Sequence, residues 1–335
     1  MKAIVIRRFG GPEVLQLEDF ADPIAGPGEV TLQVHAVTVN RTLDLAVRAG
    51  EYSAPIALPH IIGVDPSGVV VAVGEGVTDR KIGDRVVAIP WRTRPLGPHD
   101  SVGMQHLGGY AQYVKLPAAA TVFIPDGLDF ATASVVTRHA PQAFNLLRDR
   151  AGLKANEWVL VMGASGGLGS VGVQIAKSLG AIVIAGAGAP ERVKAALDLG
   201  ADFGIDYRSQ DLTEQVLALT KGRGVDVVFE NIGDPVLFPK ALMSLARHGR
   251  LVTAGAHAGG EVMLNLKRLY LYQLAVMGSL GFNLQDVVAS LDAAAKGKIS
   301  VLIDCIMPLD QAAEAHRRVA SRSGIGKVVL DPTRV

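Results

Sequence analysis

The stretch Trp158-Val159-Leu160-Val161-Met162-Gly163-Ala164-Ser165-Gly166-Gly167-Leu168-Gly169 constrains this chain more than any other. An uncharged apolar run reads as a buried strand, and 167–179, stopped by Gly180, reads as a helix. Between them stand glycines in G-x-x-G-G-x-G spacing. Backbone without Cβ can approach a diphosphate closely, and the free N–H groups of the helix start face the anion. Strand, turn and helix inside one βαβ run form the arrangement that holds a dinucleotide. The alternative is a ligand-free connection, which does not need four glycines. Gly163, Ser165, Gly166, Gly167, Leu168 and Gly169 are therefore candidate cofactor-binding residues.

The alternation continues downstream. Short apolar runs at 181–185, 202–206, 225–229, 250–253 and 275–280 read as strands. Helices at 190–199, 211–220 and 235–247 lie between them and stop near Gly200, Gly222 and Gly249. This is the pattern of an α/β, doubly wound parallel sheet. The first third differs. Its β-rich runs at 2–7, 29–39, 68–73, 85–89 and 111–115 are punctuated by Gly10-Gly11-Pro12, Gly26-Pro27-Gly28 and Gly74-Glu75-Gly76, which predicts a mostly β, partly closed domain. Segment 130–147 reads as helical. The tail adds helices at 284–295 and 309–321 and strands at 302–307 and 327–330. The expected layout is a β-rich domain, 1–126 plus 300–335, interrupted by a nucleotide domain, 127–299.

Composition narrows the function classes. Lys+Arg is 33 and Asp+Glu is 32, which argues against a strongly basic nucleic-acid binder. At 49% hydrophobic and 19% charged residues, the chain is expected to be compact rather than disordered. The single Cys305 permits neither an intrachain disulfide nor a cysteine-based zinc cluster. The uncharged run 158–176 is better explained by strand, glycine turn and helix than by a membrane span. The N-terminal run, broken by Arg7 and Arg8, shows no signal-peptide pattern. A cytoplasmic location is expected.

NAD sites usually carry an acid at the end of the second strand, for the ribose 2′-hydroxyl. Here that end reads Ala185-Gly186-Ala187-Gly188-Ala189-Pro190, with Arg192 and Lys194 following. An open strand end with cations nearby suits a 2′-phosphate, so NADPH is the expected cofactor, with Gly188, Arg192 and Lys194 in its site. The alternative is that both cations are a solvated helix face.

Further motifs carry a resemblance. They are Phe9-Gly10-Gly11-Pro12-Glu13-Val14-Leu15, Pro27-Gly28-Glu29-Val30, Gly63-Val64-Asp65, Gly83-Asp84-Arg85-Val86, Gly108-Gly109-Tyr110-Ala111-Gln112-Tyr113 and Gly326-Lys327-Val328-Val329-Leu330. With the glycine turn they resemble the medium-chain dehydrogenase/reductase superfamily, in its zinc-independent, quinone-oxidoreductase-like branch, over nearly the whole length. The resemblance implies a Rossmann sheet inserted into a GroES-like domain. Zinc members place a His in Gly-His-Glu where this chain has Val64, and a first Cys near Asn40–Arg41. No metal site is therefore expected. Asn40 matches a residue near the nicotinamide, with one residue inserted before Asp44. Tyr52 matches the proton donor of related enoyl-thioester reductases, or is an aromatic wall or a core residue. Lys194, Tyr207 and Arg322 resemble residues at the 2′-phosphate and adenosine end. Asn231 and Gly255 join the cofactor set. His139 lies in Arg138-His139-Ala140-Pro141-Gln142-Ala143-Phe144, which departs from the family's Pro-Tyr-x-Thr-Ala-Tyr turn; it is a substrate ligand, an acid/base or a structural histidine. Loop 90–107, with Trp91, Arg92, Arg94, His99 and His106, is a cover, an anion site or plain surface.

The expected activity is hydride transfer from NADPH to a quinone or an α,β-unsaturated carbonyl, a small electrophilic molecule. Alternatives are a 2-enoyl-CoA or enoyl-thioester reductase and an NADPH-binding structural or sensor protein with little turnover. The resemblance further implies a homodimer, formed through the last strand of the nucleotide sheet.

Overall fold

The computed structural model describes residues 1–52, 55–90, 100–256 and 258–335. Trp91, Arg92, Arg94 and His99 lie outside the described residues. In chain order the strands are β1 (Lys2–Val5), β2 (Gln16–Asp19), β3 (Glu29–Thr38), β4 (Ser67–Val73), β5 (Arg85–Ala88), β6 (Tyr113–Pro117), β7 (Thr121–Phe123), β8 (Trp158–Met162), β9 (Ile182–Ala187), β10 (Phe203–Asp206), β11 (Val225–Glu230), β12 (Leu245–Thr253), β13 (Ala275–Gly278), β14 (Ile303–Pro308) and β15 (Lys327–Asp331).

Contacts divide the chain into two compact units. One is Met1–Arg138 with Leu291–Lys296 and Ile303–Val335; the other is His139–Ser290 with Gly297–Leu302. The first cut falls at 138/139 rather than at the expected 126/127. The reason lies in the helix Phe130–Phe144. The hydroxyl of Ser134, on its first half, bonds to Ser67 at 3.0 Å and to the Ala36 carbonyl at 3.3 Å, tying that half to β3 and β4.

The first unit is GroES-like. Its main sheet runs β14-β15-β3-β4-β5-β7, with β6 on β3, and β1 and β2 form a separate pair. The long β3 is its spine: Val30, Leu32, Val34 and Val37 are fully buried. Each such side chain contributes about 1.5–3 kcal/mol when withdrawn from water. The polar β2 was not expected as a strand, because Gln16-Leu17-Glu18-Asp19 buries nothing and is held by pairing with β1.

The second unit is a Rossmann sheet of six strands, β10-β9-β8-β11-β12-β13, all parallel. The strand order reverses between β8 and β11, and ligands of such sheets bind at the carboxyl ends of strands at that point. The helix expected over 235–247 is only Leu237–Met243. Leu245 is drawn into β12 instead, because its buried side chain pairs beside Val225. Among the described residues no helix is long and apolar enough to cross a membrane.

Candidate active site

The second unit supplies a candidate anion cradle. The β8 strand ends at Gly163 with φ +63, a conformation glycine adopts without penalty. The chain turns back at once: the Gly166 N–H donates to the Gly163 carbonyl at 2.9 Å, and the Ala164 N–H to Gly186 at 3.1 Å. The helix Gly167–Ser178 then starts with Gly166 as its cap and no side chain on its free N–H groups. A Cβ on Gly169 would fall on the Gly163 carbonyl oxygen and lie 2.8 Å from its carbon. This turn therefore tolerates nothing but glycine there, and it leaves the positive end of the helix open. Ser165 is buried, Gly166 exposed, and Gly167 and Leu168 half-buried.

The neighbouring strand ends converge on the cradle. Asn231, after β11, donates its amide to the Met162 carbonyl at 2.7 Å. Its Oδ1 lies 3.0 Å from where a Cβ on Gly163 would stand, and a Cβ on Gly255 would strike the Asn231 carbonyl. Gly163, Asn231 and Gly255 thus come together as one close-packed rim. Beside them opens a cavity of about 600 Å³ lined by Glu230, Gly233, Thr253, Gly255 and Ser279, among others. Glu230 accepts from the Ile232 and Gly233 N–H groups at 2.8 and 2.9 Å and from Thr253 at 3.2 Å. Burial nevertheless raises its pKa. Sequence reasoning missed this carboxyl, whose only signal is a charged residue ending an apolar strand.

At the end of β9, Gly188 faces Tyr207 and Arg208. Their Oη and Nε would lie 3.1 and 3.3 Å from a Cβ at Gly188. Arg208 was not singled out from sequence, although it adjoins Tyr207. Arg192 and Lys194 share the helix Pro190–Asp198. Lys194 is paired with Asp198 at 2.7 Å in an exposed bridge, which is weak and readily exchanged. Arg322 belongs to the first unit. It closes the helix Ala312–Ser321 at φ +56, close enough for its charge to lower the pKa of Arg41, after the larger effect of burial.

The first unit buries a polar cluster around Asn40. After Asn40 the chain makes a wide turn, Arg41–Leu45, whose Leu45 N–H reaches the Asn40 carbonyl at 3.2 Å. Asp44 still folds back, accepting from the Asn40 N–H at 2.7 Å and the Gly63 N–H at 3.2 Å. Asp65 accepts from the Thr38 N–H at 2.9 Å and its hydroxyl at 2.6 Å. The Asn40 amide donates to Thr38 Oγ1 at 2.9 Å and Asp65 Oδ2 at 3.1 Å. Its oxygen accepts from Lys327 Nζ at 2.7 Å, which also bonds the Val39 carbonyl at 3.0 Å. An ammonium can only donate, so the amide orientation is fixed chemically. Burial, then the neighbouring Asp65, lifts Asp44 to about 7, and burial lowers Lys327 to about 8. Sequence reasoning used Lys327 and Asp65 only as parts of motifs. Tyr52 is half-buried against the core of this unit, and His139 is half-buried in the helix Phe130–Phe144.

A second buried chain runs from Arg48 Nη1 to His316 Nδ1 at 3.3 Å and from His316 Nε2 to Tyr110 Oη at 3.1 Å. Arginine only donates, so the imidazole proton sits on Nε2 and bonds to Tyr110. Burial, then repulsion from Arg48, pushes His316 down to about 3. The unfolded imidazole titrates near ~6.5. The fold therefore has the full stabilisation above that value and loses it as pH falls towards 3. His316→Gln keeps both hydrogen bonds without titrating. Between about pH 7 and pH 5, wild type is expected to lose about 2 kcal/mol more than this variant in urea unfolding. Equal losses would contradict the assignment.

The comparisons with known proteins agree with this architecture. The family model "Alcohol dehydrogenase GroES-like domain" matches residues 26–126, and "Zinc-binding dehydrogenase" matches 167–296. Human quinone oxidoreductase is 32% identical, with 98% of this chain and 97% of that protein covered. Quinone oxidoreductase of Pseudomonas aeruginosa is 33% identical, with 99% of each covered. A solved structure described as an NAD-dependent alcohol dehydrogenase superposes with a TM-score of 0.93 at 36% identity, covering 99% of each chain. The family consists of oxidoreductases that use a nicotinamide cofactor. On sequence, fold and the geometry of its glycine turn, the chain belongs to the medium-chain dehydrogenase/reductase superfamily and is quinone-oxidoreductase-like.

Proposed function

We propose that this oxidoreductase uses NADPH, needs no zinc, and passes a hydride to a quinone or an α,β-unsaturated carbonyl. The observation that carries the reading is the Asn40 cluster. Zinc needs lone pairs from Cys, His or carboxylate. Val64 has none, and the Asn40 oxygen already accepts from the Lys327 ammonium at 2.7 Å. Without a Lewis acid, an acceptor that is already electrophilic is the natural partner.

The dinucleotide fits the glycine cradle. The open N–H groups at 167–169 take the diphosphate, and Asn231 and Gly255 give close backbone approach beside it. Gly188, with Tyr207, Arg208 and the nearby Arg192 and Lys194, receives the 2′-phosphate. Arg322 is assigned to the same phosphate end. Bound NADPH supplies the hydride. Asn40, its amide committed to Thr38, Asp65 and Lys327, offers a fixed surface to the nicotinamide rather than a free hydrogen bond. Tyr52 or solvent delivers the proton, and His139 is the second candidate for that transfer. An enoyl-thioester substrate fits the same chemistry. A binding protein with little turnover has only the altered Arg138–Phe144 turn in its favour.

A homodimer is part of this reading. Among the described residues the edge strand β13 pairs only with β12, and it exposes Val276, with Leu280 and Tyr270 also exposed nearby in sequence. An apolar open edge of this kind favours pairing with a second copy. The cofactor assignment is tested by fluorescence titration. NADPH is expected to bind about tenfold or more tighter than NADH, the worth of one charged hydrogen bond. A preference for NADH would remove it.

A further inference from the structure

One cation whose charge reaches the Asn40 cluster is not tied into the hydrogen-bond network among the described residues. Arg138 is half-buried and ends the first unit. Its charge reaches both Asp44 and Lys327: it offsets a part of the burial-driven rise of Asp44 and adds to the burial-driven fall of Lys327. Yet among the described residues its guanidinium makes no hydrogen bond or ion pair. The contrast with neighbouring arginines is plain. Arg148 is held by Asp149 and Asp286. Arg48 bonds Gly10 and His316. The Thr137 hydroxyl, one residue earlier and buried, also lacks a partner.

The cluster's charges make this arrangement informative. Asp65 is bonded to neutral donors and to the Asn40 amide, and Lys327 bonds only to neutral oxygens. Two carboxyls face two cations, Lys327 and Arg138. Whenever Asp44 carries a proton, one positive charge is left over. A guanidinium that is partly desolvated, in excess and without a partner is a poor structural element and a good oxyanion receptor, because its planar fork matches a carboxylate.

We propose that Arg138 is a specificity-determining residue which binds an oxyanion on the acceptor, so that the preferred acceptors are enones bearing a carboxylate. The proposal rests on the reductase reading above. In the reaction it specifies, hydride adds to the β-carbon, the alkene electron pair moves to the carbonyl oxygen, and a proton closes the α-carbon. The acid group is unchanged and only anchors the molecule.

The test compares 3-benzoylacrylate with its methyl ester, which differ only in the charge. In wild type, kcat/KM is expected to favour the acid. In Arg138→Gln the acid-to-ester ratio falls about tenfold to hundredfold, and Arg138→Lys restores part of it. An unchanged ratio overturns the proposal. A ratio unchanged while KM for NADPH rises also overturns it, because the oxyanion is then the cofactor's. Crotonyl-CoA against its N-acetylcysteamine thioester separates a CoA phosphate from a carboxylate on the acceptor. A ratio that responds only in that pair overturns the carboxylate assignment. If no acceptor is reduced at all, the reductase reading fails on its own. Calorimetric binding of the saturated acid 3-benzoylpropionate then decides: loss of binding in Arg138→Gln supports the arginine's role, and equal binding overturns it.

Discussion

Gly169→Ala is expected to weaken dinucleotide binding about 100-fold, roughly 3 kcal/mol. The added methyl would stand on the Gly163 carbonyl oxygen, which itself accepts the Gly166 N–H that closes the turn. Relief requires moving the strand end or the helix start, and either displaces the N–H groups that face the diphosphate. The neighbouring Gly166→Ala provides a graded comparison. Its Cβ would lie 3.3 Å from the same oxygen, a contact that a small shift relieves. A several-fold loss is expected there, about 1 kcal/mol. Fluorescence titration with NADPH reads both. If Gly169→Ala binds within about threefold of wild type, under ~1 kcal/mol, the turn does not hold the diphosphate.

Lys327→Met removes a charge and keeps the stem. The expected cost is about 3 kcal/mol at neutral pH, as for other broken buried ion clusters. The Val39 carbonyl and the Asn40 oxygen lose their donor, and Asp44 and Asp65 lose the cation between them. The pH dependence separates charge from packing. Asp44 already titrates at about 7, above its unfolded value, so its ionisation costs stability as pH rises from about 4 to 7. Without Lys327 that cost grows. The variant's deficit in urea unfolding is therefore expected to be smaller near pH ~5 than near pH ~8. Adding Asp44→Asn should recover part of the loss, because neighbours in one network do not add. A deficit independent of pH would mean that Lys327 contributes packing alone.

What was legible in the sequence was local. The glycine turn, and the stops at Gly180 (φ +80) and Gly200 (φ +102), are fixed by backbone conformations that few residues adopt, so a single residue reveals them. The parallel sheet followed from apolar runs that must be buried on both faces. The Asn40 cluster was hidden for the opposite reason. Lys327 and Asn40 are 287 residues apart, and Tyr110 and His316 are 206 apart. Neither pair has a local signature; each exists because β15 pairs with β3 and the helix Ala312–Ser321 packs on the first unit's core. Helix length failed at Leu245 because burial beside Val225 outweighed helical periodicity. Lys194, expected near the 2′-phosphate, has an i,i+4 partner in Asp198 that its own helix supplies.

In the proposed reaction an electrophilic acceptor replaces metal assistance. The direct measurement is NADPH oxidation, followed by loss of the reduced-nicotinamide absorbance, with a quinone or enone as acceptor. It is run on protein dialysed against a strong chelator, with zinc added back in parallel. Turnover that is undiminished by the chelator and unimproved by zinc is the predicted result. Activity confined to alcohols or simple ketones, appearing only when zinc is restored, would contradict the account.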